Sequence, residues 1–111
     1  MVTTPQSIST GDVRRGVRMF EKVNTRILGI VENMSGHECP HCGETVDIFG
    51  KGGGEDLAED MELPFVGAIP LDPKVREGGD AGVPPVAGSP DSPASRALKG
   101  VAQTLREVLE N

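Results

Sequence analysis

Apolar residues occur along this chain in short continuous runs and in one long helical stripe. The runs RILGIVEN (26–33) and PFVGAIP (64–70) are typical of strands that are buried on both faces of a parallel sheet. The opening MVTTP is rich in β-branched residues and is interrupted by Pro5, so it is predicted to form the end of another strand. The sequence therefore predicts three strands.

The stripe lies near the carboxyl terminus, where apolar residues recur at three- and four-residue intervals over 93–110. This spacing predicts an amphipathic helix, with Ser92 as its cap and Pro93 at its first helical position. The apolar face of this helix carries Ala94, Leu98, Val101, Leu105 and Val108.

Helices are also predicted between the strands. The segment STGDVRRGVRMFEKVN is amphipathic, with Ser9 or Thr10 as its cap and Asp12 placed to complement the helix dipole. A short acidic helix is predicted at 55–62, and one helical turn after Pro73. The first of these helices carries basic residues that we interpret as a solvated face, namely Arg14, Arg18 and Lys22.

The predicted order is strand, helix, strand, loop, helix, strand, loop, helix, which indicates an α/β fold with a parallel sheet flanked by helices. The length suits a single domain, 1–111, with a long loop at 34–54 and a linker at 88–93. Three strands are few for such a sheet, and the first begins at residue 1. We therefore expect the chain to be part of a larger α/β unit.

Charge and hydropathy exclude several classes of protein. The formal net charge is −6, which argues against nucleic-acid binding because the phosphate backbone requires a cationic surface. No apolar run approaches the roughly 20 residues that a membrane helix needs. The amino terminus lacks the charged and apolar regions of a secretory signal. We therefore expect a cytoplasmic protein whose two cysteines are reduced.

Both cysteines lie in the segment CPHCGE, as Cys39 and Cys42. Two intervening residues allow both sulfurs to face one metal from a tight turn, and Gly43 permits the positive φ that turns backbone N–H groups toward them. A dithiol redox pair and two inert cysteines are the alternatives. The following GETVDIFG is a poor helix start, so the helix dipole that activates a redox cysteine is expected to be absent.

A cysteine pair supplies two metal ligands, whereas most sites use four. The other two can come from His37 and His41, which would give a Cys₂His₂ zinc site, although for each histidine a solvent-facing position is the simpler expectation. They can also come from a second copy of the chain across a twofold axis. Four thiolates suit either zinc or a [4Fe–4S] cluster.

Two further segments bear on nucleotide binding, one against it and one for it. The segment GKGGG (50–54) has the glycines of a phosphate-binding loop, but the motif requires Lys and a hydroxyl at its far end, and the carboxylates of Glu55 and Asp56 would repel phosphate. Asn33 ends one predicted strand and IPLD (69–72) ends the next, and ligands of open α/β sheets bind beyond these carboxyl ends. The Asn33 amide can contact an adenine edge.

The segments VTTPQ, GIVENMS, CPxCG, IFGKGGGE and IPLDPKVRE occur in this order. Over residues 2 to about 86 the chain closely resembles the carboxyl-terminal half of the Mrp-type iron–sulfur cluster carrier ATPases, which are relatives of the MinD/ParA group. The resemblance implies a P-loop α/β fold and a homodimer with a labile [4Fe–4S] cluster bridging its subunits. It also implies a role in passing that cluster to apoproteins, modulated by ATP.

The resemblance also implies roles for particular residues. Cys39 and Cys42 match the bridging cysteines, Asn33 matches the adenine-contacting asparagine, and Pro70, Leu71 and Asp72 match the segment beside the base.

The Walker A loop, signature lysines and switch segments of this family are absent from the chain. We therefore expect weak or no binding of ATP and Mg²⁺, no ATP hydrolysis by this chain alone, and a separate P-loop-containing half as a partner. A CxxC dithiol oxidoreductase and a zinc-stabilised binding module remain the alternative functions.

Overall fold

The computed structural model describes residues 1–110, and residue 111, the last of the predicted domain, lies outside the described part. The elements in chain order are β1 (Val2–Thr3), α1 (Ser7–Lys22), β2 (Ile30–Glu32), β3 (His37–Glu38), β4 (Thr45–Val46), α2 (Gly53–Asp60), β5 (Phe65–Ala68), α3 (Pro73–Ala81), α4 (Pro85–Gly88) and α5 (Pro93–Glu110).

The predicted parallel sheet is confirmed, with β2 in the centre between β1 and β5. Val31 of β2 pairs with Val2 on one side and with Gly67 on the other. The central strand is shorter than the apolar run 26–33 that predicted it. The Met1 amine donates to the Gly29 carbonyl (3.0 Å), just before β2 begins.

Both faces of the sheet are covered because successive residues of a strand point to opposite sides. Ile30 is fully buried and packs with Val17 of α1 and Leu57 of α2. Val31 faces the other side and packs with Ala94 of α5. The two apolar clusters confirm the prediction of a strand buried on both faces for β2, whereas β5, at the edge of the sheet, is only half-buried.

Strand β1 forms one edge of the sheet, and Val2 is 61% exposed there. An apolar cavity of about 450 Å³ lies nearby, and its walls include Ile27, Leu28 and Leu105. This side of the sheet therefore presents apolar surface to its surroundings.

Helix α1 begins earlier than predicted. Gln6 occupies the cap position and the helix starts at Ser7, so the predicted caps Ser9 and Thr10 were wrong. The Ser9 hydroxyl instead accepts from the Thr4 amide (3.0 Å), which lies beyond the end of β1 and needs an acceptor. Asp12 lies outside the first turn and pairs with Arg15.

Helices α2 and α3 also differ from their predicted bounds. Helix α2 covers Gly53–Asp60 rather than 55–62. Helix α3 covers Pro73–Ala81 rather than a single turn, and Asp72 caps its start by accepting from the Lys74 amide (3.0 Å). Gly82, in the left-handed conformation, ends α3.

The predicted linker at 88–93 is partly helical, since α4 ends at Gly88 and a turn over 89–92 leads into α5. Helix α5 has the bounds that its apolar spacing predicts. The Ser95 amide donates to the Ser92 hydroxyl (3.2 Å), which confirms the predicted cap. No helix within residues 1–110 combines the length and the hydropathy that crossing a bilayer requires.

Candidate functional site

The two cysteines lie at the tip of a small hairpin within the segment 34–54. Strands β3 and β4 pair in antiparallel fashion, so the predicted loop contains a short ladder. The tip is closed by two backbone hydrogen bonds, from the Cys39 amide to the Glu44 carbonyl (2.8 Å) and from the Gly43 amide to the Cys39 carbonyl (2.9 Å). Gly43 has a φ of +75°, as predicted for a turn that an L side chain would strain.

Both thiols are accessible, since Cys42 is exposed, Cys39 is half-buried and no disulfide joins them. The backbone N–H of Cys42, followed by that of His41, hydrogen-bonds the Cys39 sulfur and holds the pKa of Cys39 below its ordinary value. The thiolate that these amides favour is the form that binds metals and attacks electrophiles.

The two histidines of the hairpin have different surroundings. His41 is exposed, as expected. His37 is half-buried, and its Nδ1 lies 2.9 Å from the Leu71 carbonyl oxygen, so the expectation that it faces solvent was wrong. Residues 1–110 contain no group of three or more His, Cys, Asp or Glu side chains arranged to hold a metal ion. The chain alone therefore offers two sulfurs and no Cys₂His₂ site within these residues.

Leu71 connects the hairpin to the segment that follows β5. Its carbonyl pairs with His37, and its amide donates to the Gly36 carbonyl (2.7 Å). A cavity of about 470 Å³ lies on the Cys39 side of this segment, with Lys74 and Arg96 in its wall. The backbone of Leu71 is therefore occupied by the hairpin rather than free to contact a base.

A second cavity, of about 270 Å³, lies on the other side of the same segment. It brings together the four residues expected beside a nucleotide base, Asn33, Pro70, Leu71 and Asp72. The Oδ1 atom of Asn33 accepts from the Met34 amide (2.9 Å), so its amide nitrogen is the group that can face a base edge. The segment 70–72 thus separates a cavity beside the cysteines from a cavity beside Asn33.

Asp72 joins two helices at this wall. One carboxylate oxygen accepts from the Lys74 amide (3.0 Å) and the other from the Ala94 amide (3.1 Å). Partial burial alone would raise the pKa of Asp72, but these backbone hydrogen bonds outweigh it, and the pKa lies below its ordinary value. The Asp72 carboxylate therefore holds the wall together and has little capacity left for a ligand.

The sequence profile of the NUBPL iron-transfer P-loop NTPases, within the ParA group, matches residues 1–106. The chain belongs to this family. Its similarity to the cytosolic Fe-S cluster assembly factor NUBP2 of Bos taurus is 49% identity over 105 residues. The chain is also 44% identical, over 110 residues, to the iron-sulfur cluster carrier protein of Methanocaldococcus jannaschii. These alignments cover 95% and 99% of this chain but only 39% and 37% of the two relatives, so the chain spans well under half of their length.

Solved structures agree with this family. A nucleotide-binding protein from Archaeoglobus fulgidus, solved with ADP and Co, matches with a TM-score of 0.62 and 39% sequence identity. The match covers 71% of this chain and 32% of the Archaeoglobus fulgidus chain. The cell-division ATPase MinD of Pyrococcus furiosus matches with a TM-score of 0.72 and 25% sequence identity. The match covers 96% of this chain and 40% of the MinD chain. The chain therefore has part of the α/β fold of these ATPases.

In this chain of the NUBPL family, two amides of the glycine segment 50–54 bond to a side chain of the protein rather than being free to bind phosphate. The amides of Gly52 and Gly54 donate to the buried carboxylate of Glu32, at 3.2 and 2.7 Å. A Cβ at Gly53 would collide with the Pro5 carbonyl, so this glycine permits close packing. The segment is therefore anchored to the sheet.

Sequence reasoning missed Glu32 and Ser35. Glu32 lies in a run that predicts an apolar strand, yet its carboxylate is buried, with 1% of the residue exposed, and also accepts from the Ser35 hydroxyl (2.5 Å). A carboxylate at the end of a strand predicted to be buried on both faces was the available clue, because a buried charge requires hydrogen-bond donors.

Proposed function

We propose that this chain is a cytoplasmic iron–sulfur cluster carrier. It holds a labile [4Fe–4S] cluster, as cargo, between the Cys39 and Cys42 thiolates of two copies and delivers it to apoproteins. The observation that carries the proposal is the exposed cysteine turn, in which backbone amides lower the pKa of Cys39. Iron clusters are bound by thiolates, usually four of them. Within residues 1–110 no third His, Cys, Asp or Glu side chain is arranged with this pair to hold a metal ion, so a twofold-related copy supplies the other two sulfurs.

Delivery follows from the exposed position of the turn. A thiol of the acceptor protein loses its proton and binds iron, while Cys39 or Cys42 releases the same iron and takes up a proton. Each exchange replaces one sulfur–iron bond by another, and no electron is transferred. A ligand that remains accessible to an incoming thiol permits such exchange, whereas a buried ligand retains its cluster.

For nucleotide, we propose that the cavity beside Asn33 forms the adenine side of a site, with Pro70, Leu71 and Asp72 as its wall. The phosphate side does not fit within residues 1–110, because the glycine amides at 52 and 54 are bonded to Glu32. Binding of ATP and Mg²⁺ by this chain is therefore expected to be weak, and hydrolysis absent. A separate P-loop-containing partner would supply the phosphate cradle.

Anaerobic reconstitution with ferrous iron and sulfide tests the carrier function. The wild-type chain is expected to become brown, to contain four irons per pair of chains and to elute as a dimer. Cys39→Ser and Cys42→Ser should each abolish the chromophore, whereas Glu59→Gln, an exposed change on α2, should retain it. Transfer is measured by activation of an apo-ferredoxin. A colourless monomeric wild type after reconstitution would contradict the proposal.

The lowered pKa of Cys39 also favours a second candidate, a dithiol oxidoreductase, since a thiolate at neutral pH attacks disulfides. Reduction of insulin by metal-free protein would support it. Zinc without sulfide in protein purified without oxygen would instead support a zinc-stabilised binding module.

A further inference from the structure

Glu32 is a carboxylate buried at the carboxyl end of the central strand. Only 1% of the residue is exposed, although it belongs to a residue type that is almost never fully buried unless paired. Burial of a charge is costly without compensating hydrogen bonds. The position therefore requires a dedicated set of donors.

Three neutral donors surround this carboxylate. The Ser35 hydroxyl and the Gly52 amide donate to Oε2, at 2.5 and 3.2 Å, and the Gly54 amide donates to Oε1 at 2.7 Å. Ser35 lies at the beginning of the segment that carries the cysteines, and the two glycines lie at its end. One side chain thus ties together both ends of the segment 34–54.

Close packing adds to this connection. A Cβ at Gly54 would lie 2.9 Å from the Glu32 Cβ and 3.1 Å from a methyl group of Thr3. Neighbouring Gly53 lies against the Pro5 carbonyl. The base of the segment is therefore held against β2 and against the turn between β1 and α1, while its tip is exposed.

We propose that Glu32 is a positioning residue, which closes the base of the cysteine segment and thereby sets where the Cys39–Cys42 turn stands relative to the sheet. In a carrier with two sulfurs from each copy, that position decides whether four sulfurs meet at one cluster. The effect of Glu32 on the cluster rests on the proposed carrier function, whereas its effect on the position of the turn is testable in the metal-free chain.

The first test measures amide hydrogen exchange in the metal-free chain for the wild type, Glu32→Gln and Ser35→Ala, with Glu59→Gln as the exposed control. A glutamine offers one acceptor oxygen where the carboxylate offers two, so at least one donor loses its partner. The amides of Cys39 and Gly43 are expected to exchange roughly tenfold faster in Glu32→Gln, because hydrogen bonds to charged groups are the stronger ones. Exchange at Ile30 and Val31 should stay as in the wild type.

A merely structural role would give a different pattern. Equal acceleration at Ile30, Val31 and the cysteine turn would mean that Glu32 supports the whole sheet, and this result would overturn the proposal. Unchanged exchange at Cys39 and Gly43 would overturn it too. If Glu32→Gln does not fold, Ser35→Ala, which removes one donor and leaves the carboxylate, decides the same question. The effects of Glu32→Gln and Ser35→Ala should be non-additive, since both act on one contact.

The second test uses the reconstituted protein and a ferrous chelator. Glu32→Gln is expected to release its cluster several-fold faster than wild type and Glu59→Gln, as measured by loss of the brown absorption. Equal release rates in all three would overturn the proposed consequence. If the wild type takes up no cluster, the carrier function fails, whereas the exchange measurement still decides whether Glu32 positions the turn.

Discussion

The Nδ1 atom of His37 lies 2.9 Å from the carbonyl oxygen of Leu71. Together with the hydrogen bond from the Leu71 amide to Gly36, this contact fixes the base of the cysteine hairpin to the segment after β5. The same segment separates the cavity beside Cys39 from the cavity beside Asn33. The candidate cluster site and the candidate base site therefore share one wall.

We predict that His37→Ala destabilises the hairpin while leaving metal binding by the cysteines possible. Loss of the hydrogen bond to Leu71 should cost about 1 kcal/mol, measured by urea unfolding. His41→Ala is the matched control, because His41 is exposed in the same turn, and it should have no measurable effect. Iron content after reconstitution should be retained in both variants. Its complete loss in His37→Ala alone would identify His37 as a ligand.

We predict that Cys39 is alkylated at lower pH than an ordinary thiol. The amides of Cys42 and His41 stabilise its thiolate, so the thiolate persists as the pH falls below the ordinary thiol pKa, down to the lowered one. Iodoacetamide labelling across a pH series, with the modified residue located by mass spectrometry, measures this. Cys42→Ser keeps the amide of residue 42, so most of the shift should survive in that variant. An ordinary profile for Cys39 in Cys42→Ser would show that the sulfur of Cys42 is the main cause.

We predict that Asp72→Ala lowers the free energy of unfolding by roughly 1–2 kcal/mol at pH 7, since two helices lose an acceptor at their amino termini. The pKa of Asp72 is lowered in the folded chain. The contribution of the Asp72 carboxylate to the free energy of unfolding is therefore complete above the ordinary carboxyl pKa of about 4. It is lost as the pH falls through the lower pKa of the folded chain. The difference between wild type and variant should shrink over that acidic range, as measured by urea unfolding.

The control for this prediction is Asp72→Asn. An asparagine offers one acceptor oxygen and can cap only one of the two helices. Its destabilisation should be smaller than that of alanine. A wild-type advantage over Asp72→Ala that stays unchanged at every acidic pH tested would contradict the assigned hydrogen bonds, because a protonated carboxyl group cannot accept from both amides equally.

We predict opposite effects for two glycine-to-alanine changes in helices. Gly54→Ala should destabilise the chain by roughly 1–3 kcal/mol, because the new methyl group would press against Glu32 and Thr3. Gly100→Ala, on the exposed side of α5 with no neighbour within 4 Å, should stabilise it by about 0.5–1 kcal/mol. Urea unfolding of both variants measures the contrast. A higher free energy of unfolding in Gly54→Ala than in the wild type would mean that the base of the cysteine segment is loosely packed.

Much of the fold could be predicted from local patterns. The period of the apolar stripe placed α5, and the buried runs placed the central and last strands of the sheet, because these patterns reflect which side chains leave water. The helix starts were less predictable. The sequence predicts Ser9 as a cap of α1, but the Ser9 hydroxyl accepts from the Thr4 amide instead of from an amide of the helix. Which of these amides it accepts from depends on how β1 and α1 approach each other.

The sequence by itself determined the family, through motifs that match its profile in order. It also determined the parallel α/β sheet and the cysteine turn, since short-range spacing and the conformational freedom of Gly43 suffice for these. Only the tertiary structure decided what the other polar groups do. It placed Glu32 against Gly52 and Gly54, and His37 against Leu71, across distances in sequence that no local pattern spans. Such pairings form because buried polar groups must find partners, and the partners are chosen by the packing of the whole chain.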